Sequence, residues 1–180
     1  LLCALSSFWA LCGFRAPEEI LALAEAFEVR RSLTPFVELA RDNGAQGLAR
    51  AFRSIFELPV EERRAAIGGL AAGARHVLAT TPIEAATELT SVARWTLRIS
   101  ELYPEDPGVI ATLFLNLVQL EPGQAIYLPA GELHAYLSGV GLEIMAASDN
   151  VLRGGLTSKR VDLTELMNVL RFEPRKPSLI

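Results

Sequence analysis

The spacing of hydrophobic positions changes twice along the chain. Residues 1–15 (LLCALSSFWALCGFR) are almost continuously apolar or aromatic, which predicts one interior strand. Over residues 16–105 the apolar positions recur every three or four residues, which is the spacing of amphipathic helices. From residue 106 onward, short β-type runs alternate with turns that contain Pro or Gly. The pattern therefore predicts an α+β chain in three segments, 1–15, 16–105 and 106–180.

Prolines mark the helix starts of the middle segment. Pro17 precedes the run EEILALAEAF, and acidic residues directly after a first-turn proline favour a helix N-terminus. Pro35, Pro59 and Pro82 open further runs with helical periodicity in the same way. We therefore expect an all-α block of about five helices.

The last segment contains four short apolar runs, ATLFLNLVQL, QAIYLPA, ELHAYL and VGLEIMAA, separated by EPGQ, PAG and SGVG. Closely spaced short strands with such turns are typical of a β-sandwich or jelly roll. The run TELMNVL after Asp162 predicts a helix, and the tail RFEPRKPSLI an extended segment.

Composition excludes several classes of function. The chain has 180 residues, of which 51% are hydrophobic and 21% charged, the balance of a globular protein. Its net charge of −4, with no basic stripe, argues against a nucleic-acid partner. The first fourteen residues lack a basic leading region and fall short of the ~20 apolar residues of a membrane span. We expect a cytoplasmic monomer without a membrane partner, cut from a longer parent because no initiator Met is present.

The two cysteines, Cys3 and Cys12, lie on one apolar segment without a CxxC companion. This pattern indicates neither a disulfide framework nor a zinc knuckle. Because free Cys behaves as a small hydrophobic residue, both are expected to be buried, unreactive thiols in a reducing compartment.

The run ELHAYL is the most informative candidate for chemistry. In a strand, side chains two positions apart share a face, so Glu132, His134 and Tyr136 point one way. Glu143 lies between Leu142 and Ile144 in the next run. Buried polar groups need partners, so these side chains indicate a polar site formed by two strands.

Two interpretations remain open for each candidate when only the residues are considered. His134 is either a hydrogen-bonded core histidine or a metal ligand, whereas His76 in AGARHVLA is expected to be an ordinary helix-surface residue. The run SDNVLRGGLTSK is either a surface hairpin with solvated charges or an anion-binding turn. In the second case Arg153 and Lys159 supply the positive charge and Asp149 lies in the turn.

A long ungapped stretch decides between these interpretations. Residues 121–162 (EPGQAIYLPAGELHAYLSGVGLEIMAASDNVLRGGLTSKRVD) resemble the C-terminal motif of the type I phosphomannose isomerases, zinc enzymes of the cupin superfamily. ALSSFWALCGFR resembles the family's strand after its Lys-Pro-Glu segment, and SELYPEDPGVIATLFLN its return from a helical insertion. The resemblance implies a partial cupin jelly-roll sandwich, with residues 1–15 as a core strand and residues 16–105 as an inserted helical domain. Residues 106–180 would supply the remaining core strands and a C-terminal helix.

The resemblance also implies an activity and its residues. The family interconverts mannose 6-phosphate and fructose 6-phosphate by proton transfer between C1 and C2 through an enediol. His134 would be a ligand of one Zn²⁺ ion. The catalytic residues would be Arg153 and Glu143, and the substrate-binding residues Tyr136, Asp149 and Lys159.

Two departures from the family pattern bear on this expectation. The other zinc ligands, from a Gln-x-His strand and the Lys-Pro-Glu segment, are expected before Leu1, so the chain alone is expected to be inactive. Ser158 stands where the family commonly has Pro, which could loosen the loop of Lys159. A sugar-phosphate-binding or regulatory cupin without catalysis is the alternative function. A cupin oxygenase fits less well, since such sites gather more histidines than the two here.

Overall fold

The computed structural model describes residues 1–29, 33, 36, 38, 44–82, 87–147 and 151–180. Within these residues the chain forms six α-helices and two three-stranded antiparallel sheets, which confirms the mixed helix-and-sheet class. The helix predicted to open at Pro35 falls largely outside the described residues.

The six strands form two separate sheets. Their bounds are β1 Leu2–Ala4, β2 Phe8–Phe14, β3 Leu115–Leu120, β4 Ala125–Ile126, β5 His134–Ser138 and β6 Gly141–Glu143. One sheet has the order β4-β1-β6, and the other has the order β3-β2-β5. All neighbouring strands run antiparallel. In both sheets, the strand from the start of the chain lies between two strands that come after most of the helices.

The prediction of one strand over residues 1–15 is wrong. The segment forms β1 and β2, one in each sheet, with a break at residues 5–7. At this break the Ser6 Oγ accepts a hydrogen bond from the Val140 N–H at 2.9 Å, and the backbone N–H groups of Leu5 and Ser6 donate to the Val140 carbonyl. These bonds to the β5–β6 turn replace the regular ladder, so the chain passes from one sheet to the other.

The helices have the bounds α1 Pro17–Ala26, α2 Ala45–Phe56, α3 Val60–Thr80, α4 Glu88–Leu102, α5 Gly108–Ala111 and α6 Leu163–Val169. The helix starts predicted at Pro17 and after Pro59 are confirmed, and acidic residues follow in both first turns. The α4 helix begins at Glu88, later than the start predicted at Pro82, because the Thr87 hydroxyl caps it by accepting the Thr90 N–H.

The strand predicted for ATLFLNLVQL is only partly correct. Ala111 ends α5, a 3₁₀ turn follows at Thr112–Phe114, and β3 begins at Leu115. Every residue from 108 to 116 is buried, so hydrophobic spacing gives no basis for distinguishing helix from strand there. The predicted helix after Asp162 is confirmed, with the Asp162 carboxylate accepting the Glu165 N–H.

The hydrophobic core has two parts. A small cluster fills the space between the sheets and includes Phe8, Ala10 and Cys12 from alternate positions of β2. A larger cluster packs the other face of β2, through Leu11, against the helices. Its largest members include Phe14, Phe27, Phe52 and Phe114. Because alternate strand positions point to opposite faces, β2 belongs to both clusters.

The cysteines differ from the expectation that both are buried. Cys12 is fully buried, and its burial, together with the nearby Glu132, raises the pKa of the thiol to about 12. Cys3 is only half-buried, and both thiols are free. No helix in the part of the chain that the structure describes is long and apolar enough to span a membrane.

Gly73 in α3 is a strong test of the helix packing. A Cβ added there would overlap the backbone carbonyl of Phe27, at the end of α1. We therefore expect Gly73→Ala to lower the free energy of unfolding by about 1–3 kcal/mol, because backbone cannot move aside cheaply. Gly68→Ala in the same helix meets nothing within 4 Å and should raise stability by up to about 1 kcal/mol. Urea unfolding of both variants measures this; equal effects would contradict the packing.

Candidate functional site

A cleft of about 1030 Å³ lies along the unpaired edge of β5. Its walls come from β5, the end of β6, the segment 151–157, α4 and α6. Four of the six predicted site residues line it, namely His134, Tyr136, Glu143 and Arg153. Lys159 is exposed and lies outside the cleft lining, and Asp149 lies outside the described residues.

The pairing of β5 with β2 explains which side chains enter the site. His134 lies opposite Cys12, and Tyr136 lies opposite Ala10. Residues directly opposite in an antiparallel pair share a face, so His134 and Tyr136 are on the side that faces the second sheet. Ala135 and Leu137 point the other way and pack against the helix-side core. The predicted alternation along this strand is thus confirmed from His134 onward.

The imidazole of His134 is held in one orientation. Its Nδ1 lies 2.9 Å from the backbone carbonyl oxygen of Glu132. A carbonyl oxygen only accepts hydrogen bonds, so Nδ1 carries the hydrogen and the neutral ring keeps its lone pair on Nε2. A backbone carbonyl on one ring nitrogen is the arrangement that orients metal-binding histidines. His134 therefore fits one ligand position of a zinc ion.

A complete metal site is not found in the part of the chain that the structure describes. No group of three or more His, Cys, Asp or Glu side chains comes close enough there to hold a metal ion. His76, the other histidine, is half-exposed on α3, with its Nε2 3.9 Å from a Glu28 carboxylate oxygen. The expectation that His76 is an ordinary helix-surface residue agrees with this position.

Tyr136 and Glu143 join the two sheets across the cleft. The Tyr136 hydroxyl donates to Glu143 Oε1 at 2.5 Å, and the Tyr136 ring meets Phe8 edge-on, with centroids 5.5 Å apart. Burial, followed by the bond to Glu143, raises the pKa of the Tyr136 hydroxyl well above its usual value. The phenol therefore stays protonated at neutral pH and fixes one oxygen of the Glu143 carboxylate.

Arg153 enters the cleft from a segment that is rich in glycine. A Cβ added at Gly154 would overlap the side chain of Leu133, the residue before His134, so the backbone that follows Arg153 lies close to the Leu133 side chain. Among the described residues, no carboxylate forms an ion pair with Arg153. Its guanidinium is exposed and presents a planar set of donors that suits an anion.

Glu132 precedes β5, which begins at His134, so the alternation along the strand is followed only from His134 onward. The Glu132 side chain is 9% exposed, lies against Gly13 and is 3.8 Å from Arg175 Nη1. Burial raises the pKa of the Glu132 carboxyl, while Arg175 and His134 oppose that rise. It still lines the cleft beside His134.

The raised pKa of Glu132 predicts a pH dependence of stability. Well below pH 4.5, the ordinary pKa of this carboxyl, it is protonated in both the folded and the unfolded state. As the pH rises, the unfolded chain releases this proton first, so the Glu132 contribution to stability falls until its higher folded pKa is passed. In urea unfolding with a chelator present, the midpoint of the wild type should therefore fall relative to that of Glu132→Gln as the pH rises from about 4 to about 7. Arg175→Ala should lose more stability over this pH range than the wild type, because Arg175 opposes the rise of the Glu132 pKa. A difference in midpoint between wild type and Glu132→Gln that does not change with pH would contradict the prediction.

Comparisons with known proteins identify the proteins that this chain resembles. No protein-family model matches the chain. Mannose-6-phosphate isomerase of Salmonella typhimurium is 38% identical over 175 residues, and Mannose-6-phosphate isomerase 1 of Arabidopsis thaliana is 34% identical over 182 residues. These alignments cover 96% and 98% of this chain. The chain is homologous to the mannose-6-phosphate isomerases along nearly its whole length. The resemblance drawn from residues 121–162 is thereby confirmed.

A solved mannose-6-phosphate isomerase gives the same result for the fold. The Salmonella typhimurium enzyme, in a crystal structure bound to its substrate fructose 6-phosphate and to zinc, matches with a TM-score of 0.75 and 36% identity. The match covers 97% of this chain and 41% of that chain. The chain thus spans about two fifths of the length of the mannose-6-phosphate isomerases that it matches.

Other residues near the site were not identified from the sequence. Trp95 and Arg98 of α4 line the cleft beside Leu137. The helical spacing of residues 16–105 gave no sign that Trp95 and Arg98 lie close to β5. Asp106, from the turn DPG, binds the segment of Arg153 through the Thr157 N–H. Its only signal in the sequence is that it ends the helical block.

Proposed function

We propose that this chain forms part of the active site of a zinc-dependent mannose-6-phosphate isomerase. One observation carries the proposal: the cleft gathers His134, Arg153 and the hydrogen-bonded pair of Tyr136 and Glu143. This cleft occurs in a chain whose relatives are named for that activity. The substrate class is therefore a six-carbon sugar phosphate, and the reaction is an aldose–ketose interconversion.

We further propose that the two sheets are part of a cupin jelly roll and that residues 16–105 are a helical domain inserted into it. The strand pairing supports this, because β1 and β2 pair with strands from β3 onward. The cytoplasm is the proposed location, since free Cys3 and Cys12 suit a reducing compartment.

The chemistry requires a proton to leave C2 of the open-chain aldose and to reach C1 of the ketose. We assign Glu143 to this transfer, because Tyr136 fixes one of its oxygens and leaves the other able to accept or deliver a proton. A carboxylate held in one orientation needs less rearrangement at each transfer. In this assignment Tyr136 positions Glu143 and shapes the substrate side of the cleft.

Negative charge develops on a sugar oxygen when the C2 proton leaves, and the phosphate carries negative charge throughout. We assign Arg153 to one of these anions, since its guanidinium has no ion-pair partner among the described residues. A fixed cation at such a position stabilises the transition state more than water can. Lys159 and Asp149 are proposed to bind substrate on the strength of the resemblance.

His134 would hold the zinc ion through Nε2, with Nδ1 fixed by the Glu132 carbonyl. Zinc bound there would polarise a sugar oxygen as a Lewis acid. No group of three or more His, Cys, Asp or Glu side chains that could complete such a site occurs among the described residues. That finding favours a second candidate, a sugar-phosphate-binding cupin without catalysis.

The deciding experiment uses the protein expressed from its full gene. Mannose 6-phosphate is added to the protein, with and without prior removal of metal, and fructose 6-phosphate is measured by NMR. Turnover that is lost on metal removal and restored by Zn²⁺ supports the isomerase. Binding of mannose 6-phosphate with no turnover, in protein that contains zinc, would establish the second candidate instead.

A further inference from the structure

The Arg153 segment is tied to the helical part of the chain by one carboxylate. Asp106, in the turn between α4 and α5, accepts the Gly108 N–H on Oδ1 at 2.7 Å. Its other oxygen, Oδ2, accepts the Thr157 N–H at 3.1 Å. The two oxygens of one side chain therefore bind backbone groups that are 49 residues apart in sequence (157 − 108).

The backbones on either side of this carboxylate are in direct contact. A Cβ added at Gly108 would lie 2.8 Å from the Leu156 nitrogen and 3.1 Å from the Gly155 Cα. A Cβ at Gly155, where φ is +103°, would lie 2.9 Å from the Gly108 Cα and 3.0 Å from Asp106 Oδ1. A side chain at either Gly108 or Gly155 would block this approach, so both positions require glycine.

Leu156 shows that the segment is held against its own preference. Its φ is +53°, in the left-handed region that a branched side chain rarely adopts. Such a conformation persists only where the surrounding structure maintains it. The residue that follows Leu156 is Thr157, whose N–H is the one bound by Asp106.

The contacts of residues 154–157 also constrain the two candidate anion-binding residues, Arg153 and Lys159. On one side, Gly154 lies against Leu133, next to His134. On the other side, the Thr157 hydroxyl accepts the Lys159 N–H at 3.1 Å. Fixing residues 154–157 therefore fixes where Arg153 and Lys159 leave the backbone relative to β5.

We propose that Asp106 is a positioning residue, which sets the distance between the anion-binding segment 153–159 and His134. The substrate part of this inference rests on the proposed isomerase function, in which the bound anion is a sugar phosphate. Displacements of about 1 Å in a substrate-holding group can reduce turnover by about a hundredfold, so a single anchoring carboxylate has a measurable effect.

Asp106→Asn is expected to remove the hydrogen bond to the Thr157 N–H while keeping the one to the Gly108 N–H. An asparagine is nearly the same size but has only one acceptor oxygen, which can still serve the Gly108 N–H. Its NH₂ group then faces the Thr157 N–H, and two donors cannot bond. Asp106→Ala removes both bonds. The neighbouring Glu105→Ala removes only a surface ion pair with Arg64 and serves as the matched control.

Hydrogen exchange of the peptide around Thr157 is measured on the full-gene protein, together with zinc content, KM and kcat for mannose 6-phosphate. In Asp106→Asn and Asp106→Ala we expect Thr157 exchange to rise about tenfold. KM should rise about tenfold or more, with zinc content unchanged. Glu105→Ala should change neither.

Unchanged exchange at Thr157 in both variants would overturn the inference, as would faster exchange with unchanged KM and kcat. A decline in zinc content that parallels the loss of activity would also overturn it, because the role of Asp106 would then be structural. If the wild-type protein binds no sugar phosphate, the proposed function fails, while the exchange measurement still decides whether Asp106 holds the segment.

Discussion

Arg153→Ala is expected to lower kcat/KM for mannose 6-phosphate by about 100- to 1000-fold, which is the usual effect of removing one preorganised charge donor. Arg153 lines the cleft with His134 but contributes no side chain to the core clusters. Zinc content and the urea midpoint should therefore remain at wild-type values. Steady-state kinetics, metal analysis and urea unfolding on the full-gene protein measure the three quantities.

Two further variants sharpen this prediction. Arg153→Lys keeps the positive charge but loses the planar set of donors, so its activity should lie between those of the wild type and Arg153→Ala. Arg160→Ala removes an exposed arginine seven residues further along the chain, outside the cleft lining, and should leave kcat/KM unchanged. If Arg153→Ala lost zinc and activity to the same extent, the residue would be structural and its assignment to the substrate anion would be wrong.

Local alternation predicted which side chains of β5 share a face, because a strand has a side-chain period of two. His134 and Tyr136 share the more exposed face, opposite Cys12 and Ala10 of β2. The same rule does not extend to Glu132, because that residue precedes the strand, which begins at His134.

The division of residues 1–15 into two strands could not be predicted from hydrophobic spacing. Both strands are apolar, since each has one side in the core between the sheets. The break is caused by hydrogen bonds from Leu5 and Ser6 to Val140, which is more than 130 residues away. A local pattern contains no information on such a partner; only the adjacent serines were a sign of a break.

The composition of the cleft was predicted better than its contacts. Glu143 was expected in the same pocket as Tyr136, but their hydrogen bond depends on how the two sheets face each other. Asp106 was not identified at all, because its bond to Thr157 is set by the packing of two glycine-containing turns. Tertiary packing determines both contacts: the first holds Glu143, and the second holds the segment that follows Arg153.

His134→Ala is expected to weaken zinc binding by about 100-fold or more. Structural zinc sites in peptides are stabilised by about 10–16 kcal/mol over four ligands, so one ligand contributes roughly 3 kcal/mol. Competition with a chelator of known affinity measures the zinc dissociation constant of the full-gene protein. His76→Ala is the matched control, because that residue lies on the outer surface of α3 and is the only other histidine in the sequence.

His134→Gln further separates the metal ligand from the strand that carries it. A glutamine keeps a polar side chain on the same face of β5 but lacks the imidazole Nε2 lone pair that the Glu132 carbonyl orients. Zinc affinity should therefore fall while the urea midpoint of the metal-free protein stays within a small margin of wild type. Because an alanine offers no donor to a metal, unchanged zinc affinity in His134→Ala would show that the protein binds zinc without His134. In that case the cleft would be a sugar-phosphate site with no metal at His134, and the non-catalytic candidate would gain the advantage.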